Sequence, residues 1–310
     1  MTSALIEQPV TKSRCLGDRV SVIMPVYNGL EYIEETLETV RRQTHQNVEI
    51  IVVDDGSTDG TLEYLSRQPD VRAFTQENQG PGTARNTGAK EATGDWLAFL
   101  DSDDLWEPSK LTRQLDRAEE AGADLVYTNS RQFGETNGVP LYQHEPGTMP
   151  SGDLFKLVLR DNFLTLSSVL IHRSVFEELG GFQQEGLRGT EDWDLWLRYL
   201  NTRRTVAAVD EPLVSYRWHK SNMSSDVRGM QASRENVLRR AFESERGQVL
   251  SAAEKREVLR SSFETAGWFA SRQGNFQSLG MYLKYLSHGG QSSVAARGVV
   301  RTLRNRLRRN

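Results

Sequence analysis

Cysteine is almost absent. The single one, Cys15, leaves no partner for an intrachain disulfide, so the chain is not a disulfide scaffold, and one thiol fits a reducing compartment. No run of about 18 apolar residues occurs, so no membrane-spanning helix is expected. Met1 to Asp18 lack the apolar core of a secretion signal and read as a flexible leader. Positive charge is not in excess: the net charge is -4 over 310 residues, and no global basic field points to nucleic acid. The first apolar run is not followed by G-x-G-x-x-G, which argues against a dinucleotide oxidoreductase. Proline is missing from Met230 onward, which leaves a long helical pattern unbroken.

With 26% charged and 37% hydrophobic residues, the composition is that of an ordinary soluble chain, long enough for one large domain or a domain with an appendage. Val20–Val26 and Val48–Val53 are apolar β-forming runs, and Val71–Phe74 is a shorter one. Between the first two, Ile33, Leu37 and Val40 recur at helical spacing. A helix rich in small residues opens at Gly80-Pro81-Gly82, and another carries Leu111, Leu115 and Ala118 up to a Gly122 cap. Strands alternating with helices imply a mostly parallel sheet with helices on its faces. Arg131 to Asp161 reads as loops with a hairpin. Short strands are expected at Ser167–His172, Thr205–Val209 and Leu213–Trp218, and a helix at Glu191–Leu200. The expected organisation is a leader over 1–18, an α/β domain over 19–228, and a helical subdomain with a basic tail over 229–310.

The chain is organised around Trp96-Leu97-Ala98-Phe99-Leu100-Asp101-Ser102-Asp103-Asp104, where a buried apolar strand stops at three carboxylates. Carboxylates at the C-terminal end of such a strand sit where open α/β sheets bind ligands. Asp101 and Asp103 can both approach a hard cation, and magnesium or manganese takes carboxylates together with substrate phosphates. The plainer reading is an acidic turn before a helix. Two other strand ends are polar as well, Pro25-Val26-Tyr27-Asn28 and Asp54-Asp55-Gly56-Ser57, and in a parallel sheet all three meet at one edge.

Those motifs, with Asn78–Gly88, Gly189–Trp196 and Tyr216-Arg217-Trp218-His219 in the same order, resemble the family 2 glycosyltransferases, inverting enzymes of the GT-A fold. The resemblance runs from about Arg19 to Asn222. It implies an α/β, Rossmann-like GT-A domain that moves a sugar from a nucleotide-diphosphate sugar, a UDP-sugar by expectation, to a hydroxyl of a glycan or lipid-linked acceptor. It places Pro25, Val26, Tyr27, Asp54 and Asp55 around base and ribose. Arg85, Asn86, Asp101 and Ser102 join the nucleotide site. Asp101 and Asp103 are the D-x-D pair for Mn2+ or Mg2+, with His219 on the metal or diphosphate. Asp192 is the general base and Glu191 its helper on acceptor or donor sugar. Plainer readings stay open for several of these: turn capping for Asp54 and Asp55, helix-dipole compensation for Glu191 and Asp192, and packing for Trp193 and Trp196. A catalytically inactive nucleotide-sugar-binding module of the same fold is the alternative function. His45, His144, His172 and His288 lack motif context.

The tail from Ser292 to Asn310 holds Arg297, Arg301, Arg304, Arg306, Arg308 and Arg309 and no acid. It reads either as an interfacial helix on anionic lipid or as a solvated basic terminus. The first reading puts a cytoplasmic protein at the inner face of a membrane.

Overall fold

The structure is a computed structural model and describes residues 18–136, 141–219, 227–272 and 274–307. Cys15, nearly all of the leader, Asn222, Arg308 and Arg309 lie outside the described residues. The elements in chain order are β1 (Val20–Val26), α1 (Ile33–Arg41), β2 (Val48–Asp54), α2 (Thr61–Ser66), β3 (Val71–Thr75), α3 (Pro81–Glu91), β4 (Trp96–Phe99) and β5 (Leu105–Trp106). They continue with α4 (Lys110–Ala121), β6 (Leu125–Gly134), α5 (Phe155–Arg160), β7 (Val169–His172), α6 (Arg173–Glu178), α7 (Glu191–Asn201) and β8 (Ala207–Trp218). Helices follow to the end: α8 (Val227–Glu243), α9 (Glu245–Gln248), α10 (Ala252–Arg272), α11 (Gln277–Ser287) and α12 (Ser292–Leu307).

One sheet runs through the α/β part in the order β3-β2-β1-β4-β7-β6-β8-β5. β3, β2, β1 and β4 are parallel; β7 is antiparallel to both β4 and β6; β8 is parallel to β6. Two reversals restore direction, so β6 and β8 point the same way as β1. The C-terminal ends of β1, β2, β4 and β8 and the N-terminal end of β7 therefore share one edge. Strand alternation sorts the core into two layers. Val20, Val22, Met24 and Val26 face Ile33 and Leu37 of α1 and Leu111 and Leu115 of α4. Ile23, Ile51, Val53, Leu97 and Phe99 face Ala84 of α3, Phe176 of α6, and Trp193 and Trp196 of α7. α3 approaches the sheet closely because Gly88 has no Cβ; one there would lie 2.7 Å from Ile23 Cγ2.

Two expectations need correction. The stretch Arg131 to Asp161 is not all loop: β6 continues to Gly134, and α5 occupies Phe155–Arg160. The two short strands expected between Thr205 and Trp218 are one strand, β8, with register shifts opposite Asn129, where Pro212 sits. A proline is tolerated in a paired strand at such a bulge. β5, only two residues long, has too little sequence to carry a period. Val237, Leu238, Ala241, Leu250 and Val258 join the layer that contains Phe155, Val158 and Leu159. Among the described residues, Phe263, Tyr282, Tyr285 and Ala295 form a separate buried cluster.

Candidate active site

The shared edge is built by mutual hydrogen bonding of turns. At the end of β1, Pro25 and Val26 are buried and Tyr27 is 53% exposed. Asn28 adopts φ 50, and its Oδ1 accepts the Thr58 N–H at 2.8 Å. Its own N–H donates to Ser57 Oγ at 2.8 Å. Asp55 N–H donates to Val26 O at 2.8 Å, and Leu100 N–H to Ile23 O at 3.0 Å. The first, second and fourth strand ends are thus stitched together.

Asp54 and Asp55 are both buried, and both carboxylates hold backbone. Asp54 accepts from Ser57 N (3.3 Å) and Thr75 Oγ1 (3.3 Å). Asp55 accepts from Gln79 N (3.0 Å), Gly80 N (2.8 Å) and Gln76 Nε2 (2.8 Å). That second set fixes the turn into α3, which carries Arg85. The capping role that sequence left open for these residues is therefore part of what they do.

Arg85 is buried and its Nη2 lies 2.5 Å from Asp101 Oδ1. Its guanidinium stands 5.7 Å from the Phe182 ring centroid, and its Nε is buried without a hydrogen-bond partner. Asn86 is turned elsewhere: Nδ2 donates to Phe182 O (2.7 Å) and Oδ1 accepts Phe182 N–H (2.9 Å). Its amide thereby holds the main chain of Phe182, whose ring lies beside Arg85.

The acidic turn is held from below. Asp101 N–H donates to Ser167 Oγ (3.1 Å), and Ser167 Oγ–H donates to the fully buried Asp104 (2.6 Å). Asp104 also accepts Arg217 N–H (2.9 Å). Arg217 Nε donates to Asp103 O (2.7 Å), and its Nη2 reaches Glu35 (2.6 Å). Ser102 gives its carbonyl to Thr36 Oγ1 (3.0 Å). His219 Nε2 lies 2.7 Å from Asp103 Oδ2, and its ring packs on Tyr32 at 5.1 Å. Burial, then the neighbouring charge of Asp101, raises the Asp103 carboxyl above its ordinary range. Full burial, with Asp103 and Asp101 nearby, raises Asp104 much further. Crowded carboxylates of this kind favour a cation. One oxygen each of Asp101 and Asp103 is engaged by Arg85 and His219, which leaves one hard oxygen apiece for a metal. Among the described residues no three His, Cys, Asp or Glu side chains form a ready-made metal cage. The donor set fits an ion that keeps water and phosphate oxygens, as magnesium does.

Asp192, at the start of α7, completes the group. Its Oδ1 accepts Trp193 N–H (2.7 Å) and its Oδ2 accepts Asn162 Nδ2 (2.9 Å). Burial raises it to about 6; those hydrogen bonds and Arg85 oppose the shift, while Glu191 adds to it. Glu191 is buried beside it. Trp193 and Trp196 are packing residues: both are buried and donate their indole N–H to Val158 O (2.6 Å) and Leu164 O (3.2 Å). The Tyr216 phenol is pushed well above its ordinary value by burial and then by Asp104, Asp103, Asp101 and Asp192 together. Sequence reasoning gave no role to Asp104, Ser167, Asn162, Tyr216 or Arg217. Asp104, Tyr216 and Arg217 lie inside quoted motifs and Ser167 at the start of an expected strand, whereas Asn162 stands in no pattern.

Comparison with known proteins places this geometry. The family model "Glycosyl transferase family 2" matches residues 21–180. TuaG of Bacillus subtilis, provisionally named a teichuronic acid biosynthesis glycosyltransferase, is 34% identical over 214 residues, 67% of this chain and 82% of TuaG. A glycosyltransferase of Rickettsia felis is 34% identical over 202 residues, 64% of this chain, but the match spans only 33% of that longer protein. Two solved structures share the fold, with the GT-A arrangement of a curled mixed sheet and flanking helices. S. aureus TarS 1-349 in complex with UDP-GlcNAc has a TM-score of 0.58 at 18% identity, covering 87% of this chain and 89% of that one. The mannosyltransferase PcManGT of Pyrobaculum calidifontis, in complex with GDP-Man and Mn2+, has a TM-score of 0.58 at 19% identity, covering 94% and 88%. The fold, the matched span and the TuaG relationship agree: this chain is a glycosyltransferase and belongs to glycosyl transferase family 2.

Proposed function

We propose that the protein is an inverting transferase that moves a sugar from a UDP-sugar to a hydroxyl of a glycan or lipid-linked acceptor, with Mn2+ or Mg2+ at Asp101 and Asp103. The observation that carries this reading is a crowded pair of carboxylates, Asp101 and Asp103, held by Arg85 and His219 at a strand end, together with a separate carboxylate, Asp192, held by Asn162 and the Trp193 N–H at the start of α7. A metal-binding pair and a separate base are the two roles the reaction needs.

Asp192 accepts the proton of the acceptor hydroxyl as that oxygen forms its bond to the anomeric carbon. The bond from that carbon to the diphosphate oxygen breaks, and its electron pair leaves with the nucleotide. A divalent ion, when bound, would offset the charge of the departing diphosphate. Arg85, anchored to Asp101, adds a fixed positive charge on the same side. Tyr27 offers an exposed ring for the base, with Asp54 and Asp55 holding the turns around it. His219 positions Asp103, and Glu191 lines the sugar side. TarS with UDP-GlcNAc and PcManGT with GDP-Man and Mn2+ support a nucleotide-sugar and a metal for this fold. Release of UDP, GDP or dTDP from a donor panel tests the reading, with the product anomer read by NMR. Tight nucleotide binding with no turnover on any donor would favour the inactive-module alternative instead.

A peripheral, cytoplasmic-face location rests on α12. Val300, Leu303 and Leu307 are 64%, 49% and 78% exposed at i, i+3 and i+7, flanked by exposed Arg297 and Arg304. An apolar stripe edged with arginine fits an anionic lipid surface. Among the described residues no helix is long and apolar enough to cross a membrane.

A further inference from the structure

The carboxylate of Asp192 is aimed by a residue outside its own helix. Asn162, on the segment that leaves α5, donates Nδ2 to Asp192 Oδ2 at 2.9 Å. The other end of that amide, Oδ1, is buried without a partner. Buried acceptors are rarely left unpaired, because the desolvation of the group is not recovered. Something other than its own hydrogen bonding fixes Asn162 in place.

What fixes it is the C-terminal part of the chain. Phe155, Val158 and Leu159 of α5 share a core layer with Leu238 of α8, Leu250 and Val258. Around that apolar contact, Asp153 pairs with Arg246 (2.7 Å), Lys156 with Glu254 (2.7 Å) and Arg160 with Glu257 (3.2 Å). Exposed pairs of this kind add little on their own, so burial is the main anchor. Arg234 of α8 closes the arrangement. Its guanidinium stands 4.9 Å from the Trp193 ring centroid, one residue past Asp192, and 3.9 Å from Asp161, one residue before Asn162.

We propose that Asn162 is a positioning residue for Asp192, and that α8, α9 and α10 set its place through α5 and Arg234. The inference rests on Asp192 being the base of the proposed reaction. A donor on one carboxylate oxygen fixes the direction of the remaining lone pairs and favours the ionised form. The groups that face Asp192 come from every side: Glu191 on α7, Arg85 on α3, Tyr216 on β8 and Asn162 after α5. Asp161 and Arg234 act one step away, through Asn162 and Trp193. Helices α8, α9 and α10 thus belong to the acceptor side of the catalytic apparatus.

The test uses the full chain and water as acceptor, so no glycan acceptor is needed. The UDP-sugar giving the most UDP in the donor panel is hydrolysed across about pH 5 to 9. The wild-type rate should fall toward acid with a midpoint near 6. Asn162→Ala should move that midpoint up by about one pH unit and lower the plateau kcat about tenfold, with UDP affinity by calorimetry unchanged. Arg234→Met should shift the midpoint the same way by less, and the double variant should be no slower than Asn162→Ala alone. An unmoved midpoint and plateau in Asn162→Ala would overturn the positioning role. Additive losses in the double variant would overturn the route through Arg234. Should Asn162→Ala not fold, Arg234→Met carries the same pH readout. Wild-type protein that releases no nucleotide from any donor fails at an earlier step, and refutes the proposed reaction itself.

Discussion

Replacing Asp192 with Asn is the perturbation whose size follows most directly from the geometry. The carboxyl is raised to about 6, burial being the largest cause. At pH 7 it is about 91% ionised and at pH 5 about 9%, so the wild-type kcat should fall about tenfold between them. Asn has the same shape and cannot take a proton, and loss of a general base costs about 10²–10⁴-fold, roughly 3–5 kcal/mol of barrier. The fold should survive the change. Asn Oδ1 still accepts from Trp193 N–H, and Asn162 can turn its unpaired Oδ1 toward the new amide. The melting temperature should therefore stay within a few degrees, with UDP affinity retained. The assay is UDP release from the best donor, at saturating donor, against pH. Activity within about threefold of wild type, or a wild-type rate flat between pH 5 and 7, would refute Asp192 as base.

Asp103→Ala removes a carboxylate and the partner of His219 together; kcat should fall by at least about a hundredfold, and titration with Mn2+ should not restore it. Glu49 tests stability far from the site. Burial opposes its ionisation, but Ser21, Thr93 and Arg72 outweigh it and hold the carboxyl at about 2. Its folded value lies below its unfolded value, so the stabilisation is complete above about pH 4.5 and is lost as pH falls toward 2. Glu49→Gln should cost about 3 kcal/mol in urea unfolding at pH 7, less below pH 4, with kcat unchanged. Leu303→Asp combined with Arg304→Glu should abolish sedimentation with anionic liposomes while leaving the melting temperature alone, since both side chains are exposed. Equal sedimentation would remove the membrane reading.

What the sequence made legible was whatever recurs locally. The buried runs at Val20–Val26, Val48–Asp54 and Trp96–Phe99, the helix under Leu111 and Leu115, and the polar strand ends that meet at one edge all follow from period and composition. Trp193 and Trp196 could be weighed as packing because they sit three apart on one helix face. Other features depend on partners that only the fold supplies. Asn162 meets Asp192 across 30 residues, Ser167 meets Asp104 across 63, and Arg217 meets Asp104 across 113. No local pattern marks such pairs. Asn86 likewise meets the Phe182 main chain across 96 residues through its amide. Asp210-Glu211-Pro212 interrupts the strand pattern within β8, and tertiary pairing with β6 carries the strand through.

If separate strand ends form one cradle for a nucleotide diphosphate and its cation, UDP and Mn2+ should bind together. Calorimetry of UDP with the full chain, with and without Mn2+, measures this. Binding should be at least about tenfold tighter with Mn2+ in the wild type, with no such gain in Asp103→Ala. UDP binding that is indifferent to Mn2+, or a gain that survives intact in Asp103→Ala, would contradict it.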